Sequence, residues 1–254
     1  MDLSARELER YKKHTLLPEV GETGQLKLKN ASVLVVGAGG LGSPVCLYLA
    51  AAGVGHISLI DGDVVDLSNL QRQVIHDSDH CGMEKVESAA LRMRKINPEI
   101  QIDLFPEALT EINANRIING NDLVVDCTDN LPVRFLINSQ CVRDGIPMVY
   151  GAVFRYEGQV AVFDAKRGPC YRCMYPVIPD ESSVPDPGLS GLLATIPGVI
   201  GLMQANEVFK LLLGIGDPLI GRLLLFDGLA GETRTVRLQK VPACPECGHI
   251  NIRG

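Results

Sequence analysis

Along the first half of the chain, short apolar runs alternate with longer segments that mix apolar and polar residues. "VLVV" (33–36) is short and wholly apolar, as a strand buried on both faces must be. "HISLID" (His56 to Asp61), "EIQIDLF" and "DLVVDCTDN" (Asp122 to Asn130) read as further strands, the last with polar residues at its carboxyl end. Between them, Ser43 to Ala52 lacks glycine and suits a helix that Gly53 stops, and "MEKVESAALRMRKI" suits a second, closed by "NP". This alternation predicts a mostly parallel sheet with helices on both faces. From about Met148 the pattern changes. "MVYGAVFRYEGQVAVFD" and "GRLLLFDGLAGETRTVRLQ" look like hairpin strands, so an antiparallel extension is expected. Pro176 to Gly191, rich in Pro, Gly, Ser and Asp, reads as a mobile loop.

Composition changes this picture only at its margins. With 254 residues, 46% of them hydrophobic and 21% charged, the chain has ample material for a core. A net charge of −6 argues against a general nucleic-acid binder. The most apolar stretch, "GLLATIPGVIGLM" (Gly191 to Met203), contains a proline and is shorter than the ~20 residues a membrane span needs, so it is read as core and no membrane is expected. The charged start "MDLSARELERYKK" has no secretory pattern, and a cytoplasmic protein with reduced cysteines is expected.

"GAGGLG" (Gly37, Gly39, Gly40 and Gly42 being its glycines) follows one strand and opens a helix, and Asp61 ends the next strand. Glycines let a backbone approach phosphate, a helix N-terminus offers free N–H groups, and Asp61 can accept from both ribose hydroxyls. This much says nucleotide without separating NAD, FAD, SAM and ATP. "LSNLQRQ" adds amides at Asn69 and Gln73 and a guanidinium at Arg72; Lys85 opens the following helix, and Asp129 and Asn130 end a later strand at the same crevice. Arg and Lys can balance a polyphosphate and an Asp can hold its magnesium, whereas no His or Tyr proton donor for a nicotinamide is evident. ATP is therefore expected, with Asp63 also among the cofactor-binding candidates.

"CYRC" and "CPEC" place Cys170, Cys173, Cys244 and Cys247 as two CxxC pairs, a set suited to one tetrahedral structural zinc. The pairs are far apart, so the metal would clip two distant hairpin ends together. Neither pair has the thioredoxin-like context of a redox CxxC, and His249 finds no vacancy beside four thiolates. Cys81 and Cys127 are read as small core residues. The expected fold is a Rossmann-like, doubly wound, mostly parallel sheet with an antiparallel C-terminal extension and a zinc-clipped end. It forms one domain over residues 1–254: a basic N-terminal arm (1–30), a nucleotide-binding half (31–147), and an antiparallel, zinc- and substrate-binding half (148–254).

With "RYKKHTLLPEVGETGQLKL", "VLVVGAGGLGSP", "LSNLQRQVIH", "KVESAALRMRKINP", "DLVVDCTDN", "EGQVAVFD", "GPCYRCMYP" and "PACPECG" in this order, the chain resembles the MoeB/ThiF adenylyltransferases, relatives of ubiquitin-activating enzymes. The resemblance implies ATP-dependent adenylation of the C-terminal glycine carboxylate of a small ubiquitin-like sulfur-carrier protein of the MoaD/ThiS type. It implies a separate sulfurtransferase or cysteine desulfurase as sulfur donor, and products that feed molybdopterin, thiamine or thiolated tRNA synthesis. It also implies a homodimer in which a basic N-terminal residue reaches the partner's site. On the matching motifs, Asp61 would hold the ribose, Arg72 and Lys85 the phosphates, and Asp129 the magnesium. Where the family usually reads Arg-Tyr-x-Arg, this chain has Lys13 as the last residue, which keeps the charge but not the fork of Arg. Where many members carry a loop cysteine, this chain has Pro187, so no acyl relay through that loop is available. Adenylation of a small-molecule carboxylate, a non-catalytic nucleotide-binding module and a dehydrogenase are the competing readings.

Overall fold

The computed structural model describes residues 2–177 and 191–252. The expected loop and Pro187 lie largely outside the described residues. Strands β1 (Ser32–Val36), β2 (His56–Ile60), β3 (Gln101–Phe105), β4 (Leu123–Asp126) and β5 (Met148–Phe154) run parallel, and β6 (Glu157–Phe163), β7 (Arg222–Asp227) and β8 (Glu232–Arg237) extend them antiparallel. All eight form one sheet in the order β3-β2-β1-β4-β5-β6-β7-β8. The expected fold class is the one observed.

Alternate residues of each strand enter opposite cores because the side-chain period of a strand is two. Val33 and Val35 of β1 join Ile57, Leu59 and Val125 on one face, under α4 (Gly42–Ala52), α5 (Lys85–Ile96) and α9 (Thr195–Leu213). Leu34 and Val36 join Ile60, Val124 and Ile137 on the other, with α6 (Ala114–Ile118), α7 (Leu131–Asp144) and the one-turn α8 (Tyr171–Met174). Gly53 stops α4 as expected, in the left-handed region at φ 80°.

Three elements were not legible in the apolar pattern. The N-terminal segment, expected as a basic arm, is folded into short helices, α1 (Ala5–Arg10), α2 (Lys12–Thr15) and α3 (Gly21–Asn30), with Val20 and Leu28 against Leu213. The α7 helix begins at Asn130, whose side chain caps it by accepting from the N–H of Val133. From Thr195 the apolar stretch at 191–203 enters a 19-residue helix that ends at Leu213, long and apolar enough by composition to cross a membrane. Half of it is buried against the protein, and Gln204 and Glu207 are enclosed within that face, which makes it a core helix here.

Candidate active site and metal centre

Val36 stands level with Ile60 and with Asp126, so β1, β2 and β4 end together. The residues that follow, Gly37, Asp61 and Cys127, line a crevice of about 850 Å³ where the sheet order reverses on either side of β1. Gly37 has φ 100°, and a Cβ there would lie 2.8 Å from the Cys127 carbonyl oxygen. At Gly42 a Cβ would lie 2.0 Å from the Gly37 carbonyl oxygen. Both positions demand glycine to close the turn. Gly39 has more room, since its Cβ would meet Gln73 only at 3.5 Å, and at Gly40 it would press on Pro197 of α9 at 3.0 Å. Among the described residues, the N–H groups of Gly39 to Gly42 have no intramolecular acceptor. Four unspent donors at a helix start are suited to an anion.

Asp61 is half-buried and already holds the turn: its carboxylate accepts from Ala38 N–H at 2.7 Å and from Asp63 N–H at 2.9 Å. The segment from Asp66 to Gln73 is compact: a single 3-10 turn at Leu67–Asn69, capped where Asp66 accepts from Ser68 N–H, runs on into a tight turn. It carries Asn69, Arg72 and Gln73 to the crevice wall. Arg72 is half-exposed and, among the described residues, donates only to the Ser68 carbonyl, at 3.3 Å. Gln73 is buried, and its Oε1 has no hydrogen-bond partner among the described residues. Lys85 is also buried, with its Nζ donating to the exposed Asp63 carboxylate at 2.7 Å. Asp129 stands exposed at the crevice, while the Asn130 side chain is committed to capping α7.

Lys13 is not brought to this crevice. It is exposed on α2, next to Tyr11, whose ring packs on Gly53 at the far end of α4. The 11 residues of α4 put about 16 Å between that end and the glycine turn.

Two polar residues of the site escaped the sequence reading. His76 is buried; its Nε2 faces the Ala38 carbonyl at 2.9 Å and its Nδ1 the Ser88 hydroxyl at 2.9 Å, so it ties the glycine turn to α5. Since a carbonyl only accepts, Nε2 carries the proton and Ser88 donates to Nδ1. Burial lowers its pKa, against the bond to Ala38 that favours the charged form. The signal was present in "QVIH", a polar residue closing an apolar run. Arg134, on the first turns of α7, pairs with the fully buried Asp126 at 3.3 Å. Burial pushes the Asp126 carboxyl up, while Arg134 and Thr128 hold it back.

The cysteines divide by environment. Cys127 and Cys141 are buried, and burial raises both thiols well above their ordinary range; Cys46 is pushed up to about 12 by the same cause. These are inert thiols. Cys81, read as a core residue, is instead exposed at the end of a surface turn. Cys170, Cys173, Cys244 and Cys247 converge with all four sulfurs within 4.8 Å of one another. Their separations include 3.9, 3.7 and 3.4 Å. Four sulfurs at the vertices of a tetrahedron with metal bonds of about 2.3 Å are about 3.8 Å apart, so the donor set fits one metal ion. The Val241 N–H donates to Cys173 Sγ at 3.4 Å, and Gly248 closes the second pair where a Cβ would lie 2.3 Å from the Pro242 carbonyl oxygen. His249 is outside this group.

The sequence profile of the ThiF family matches residues 11–246. The chain belongs to the ThiF family. This ThiF-family chain is 44% identical over 252 residues to the "SAMP-activating enzyme E1" of Haloferax volcanii, covering 99% of this chain and 93% of that protein. It is 44% identical over 253 residues to the "Sulfur carrier protein adenylyltransferase" of Thermus thermophilus, covering 98% and 93%. It is 46% identical over 246 residues to the "Adenylyltransferase and sulfurtransferase MOCS3" of Drosophila sechellia, covering 96% of this chain and 54% of that protein. The chain thus spans about half the length of this last relative. Among solved structures, the E. coli MccB complex with ATP superposes with a TM-score of 0.83 at 24% identity, over 94% of this chain and 74% of that one. At that identity the likeness bears on the fold alone.

Proposed function

We propose that this ThiF-family protein is an ATP-dependent adenylyltransferase that acts on the C-terminal carboxylate of a small ubiquitin-like sulfur-carrier protein. The observation that carries the reading is the crevice itself. N–H groups at the glycine turn and the Asp129 carboxylate, all without a hydrogen-bond partner among the described residues, line one cavity with the Asp61 carboxylate, the Arg72 guanidinium and the Lys85 ammonium. Relatives named for activating enzymes and carrier-protein adenylylation match nearly end to end and support the substrate class.

In this reading the carrier's carboxylate oxygen attacks the α-phosphorus of ATP, the bond to the β-phosphate oxygen breaks, and pyrophosphate leaves with its electron pair. Asp61 orients the ribose. Arg72 and Lys85 offset charge on the phosphates as it moves toward the leaving group, which is worth most in a crevice shielded from water. Lys85 must exchange its Asp63 partner for phosphate, a short movement because its stem is already enclosed. Asp129, whose carboxylate has no hydrogen-bond partner among the described residues, would hold magnesium, which when bound neutralises phosphate charge. The four cysteines would hold zinc as a structural ion, with all donors from the protein and no position open for water. A homodimer is also proposed: Lys13, remote from its own crevice, is available to reach that of a second copy. Among residues 174–243 there is no cysteine, so the adenylate is handed to a separate sulfur donor without a covalent stage on this segment.

Exchange of labelled pyrophosphate into ATP, with a panel of carrier proteins and small carboxylates, tests the reading. Exchange should require a carrier with a glycine carboxylate and vanish in Asp129→Ala. Exchange driven only by small carboxylates, or a preference for NAD or FAD in calorimetry, would overturn it.

A further inference from the structure

Asp129 makes no polar contact of its own among the described residues, so its placement depends on the loop behind it. That loop is held from below. Thr128 N–H and Oγ–H donate to Asp126 Oδ1 at 3.0 and 2.8 Å, and Cys127 N–H donates to the Val36 carbonyl at 2.9 Å. Arg134 completes the clamp. Its Nη2 donates to the carbonyls of Thr128 and, at 3.2 Å, Gly151; its Nε faces Asp126 Oδ2; and its guanidinium lies 5.1 Å above the Tyr150 ring. The Thr128 carbonyl belongs to the peptide plane that contains the Asp129 nitrogen. Turning that plane would swing the Asp129 carboxylate across the crevice.

Burying such an ion pair gains little stability over a well-packed apolar pair, so stability alone is a poor reason for a guanidinium here. Its fork does what no apolar or ammonium side chain does: it reaches the Asp126 carboxylate, a carbonyl just past the end of β4 and a carbonyl within β5 at once. We propose that Arg134 is a positioning residue that fixes the Thr128–Asp129 peptide plane and so presents Asp129 to the metal–triphosphate; this rests on the proposed adenylyltransferase reading.

Arg134→Lys keeps the charge beside Asp126 but cannot span all three partners, and it should fold. Amide hydrogen exchange of the 127–130 segment is expected to speed up in this variant, while β1 and β2 stay protected as in the wild type. Pyrophosphate exchange should lose roughly 100-fold in kcat, the scale of a small misplacement of a reacting group. Half-maximal rate should need several times more magnesium, with KM for ATP at saturating magnesium nearly unchanged. Arg134→Ala should recover part of its rate when guanidinium is added, and Arg134→Lys should not. Unchanged hydrogen exchange at 127–130 in Arg134→Lys overturns the proposal whatever the enzyme's activity. Faster exchange there with a wild-type rate and magnesium dependence overturns it too, and leaves the adenylyltransferase reading standing. A wild type with no adenylation of any carboxylate defeats that reading and the catalytic half of this proposal together, while the hydrogen-exchange arm still reports whether Arg134 holds the loop.

Discussion

Replacing Asp61 separates its structural work from its work on the nucleotide. The carboxylate accepts from two backbone N–H groups, Ala38 at 2.7 Å and Asp63 at 2.9 Å, both in the walls of the crevice. Hydrogen bonds to a charged acceptor are worth about 1.5–3 kcal/mol each, but Asp61 is half-buried, so in Asp61→Ala water reaches both donors. That puts the combined loss near 2–3 kcal/mol. At roughly 2–4 °C per kcal/mol for a chain of this size, Tm should fall by roughly 4–12 °C. If the same carboxylate holds the ribose, ATP affinity should fall as well, by about 10- to 100-fold for one to two lost charge-assisted bonds. Asp61→Asn keeps one accepting oxygen but turns an NH2 donor toward the other N–H. It should therefore recover part of the stability and less of the affinity. Scanning calorimetry gives the first quantity, and titration with a non-hydrolysable ATP analogue at fixed magnesium gives the second. A variant with lowered Tm and wild-type affinity would refute the ribose role, and an unchanged Tm would refute the claim that Asp61 braces the turn.

Three further outcomes follow from the same geometry. Purified protein should carry close to one zinc per chain, and Cys244→Ser should lower both zinc content and Tm; unchanged values would count against the four-thiolate site. The buried His76 has its folded pKa below the ordinary 6.5. The unfolded chain therefore binds the extra proton first, so its contribution to stability is complete above about pH 6.5 and is lost as pH falls through the lowered folded value. His76→Gln, which keeps a donor for the Ala38 carbonyl, should show a shallower loss of urea midpoint over that range, and identical pH profiles would refute the assignment. Enzyme, ATP and carrier protein together should give pyrophosphate exchange but no thiol-sensitive adduct on a denaturing gel; an adduct mapped to the exposed Cys81 would show that a nucleophile exists elsewhere.

Much of this protein was legible in one dimension. The strands of the parallel half are short apolar runs, and a run buried on both faces needs no partner in sequence to be recognised. The glycine turn, Asp61 and the CxxC pairs were equally visible, because each is a local pattern whose residue types answer a local demand: a turn that a Cβ would block, or thiolates two residues apart. What the chain itself could not display were interactions whose partners are distant in sequence. α7 has a weak apolar rhythm, and the N-terminal helices are short; both are held by contacts with distant elements rather than by propensity. Arg134 and Asp126 look in sequence like any solvated charges eight residues apart, and only folding β4 against β5 puts two carbonyls and a ring around the guanidinium. Lys85 with Asp63, and His76 with Ala38, are likewise pairs formed by tertiary approach. Sequence determined which chemical groups were present and which local turns could present them. The tertiary structure decided which were already spent on one another and which remained free for a ligand, because a hydrogen bond or ion pair depends on distance in space and burial, neither of which is set by neighbours along the chain.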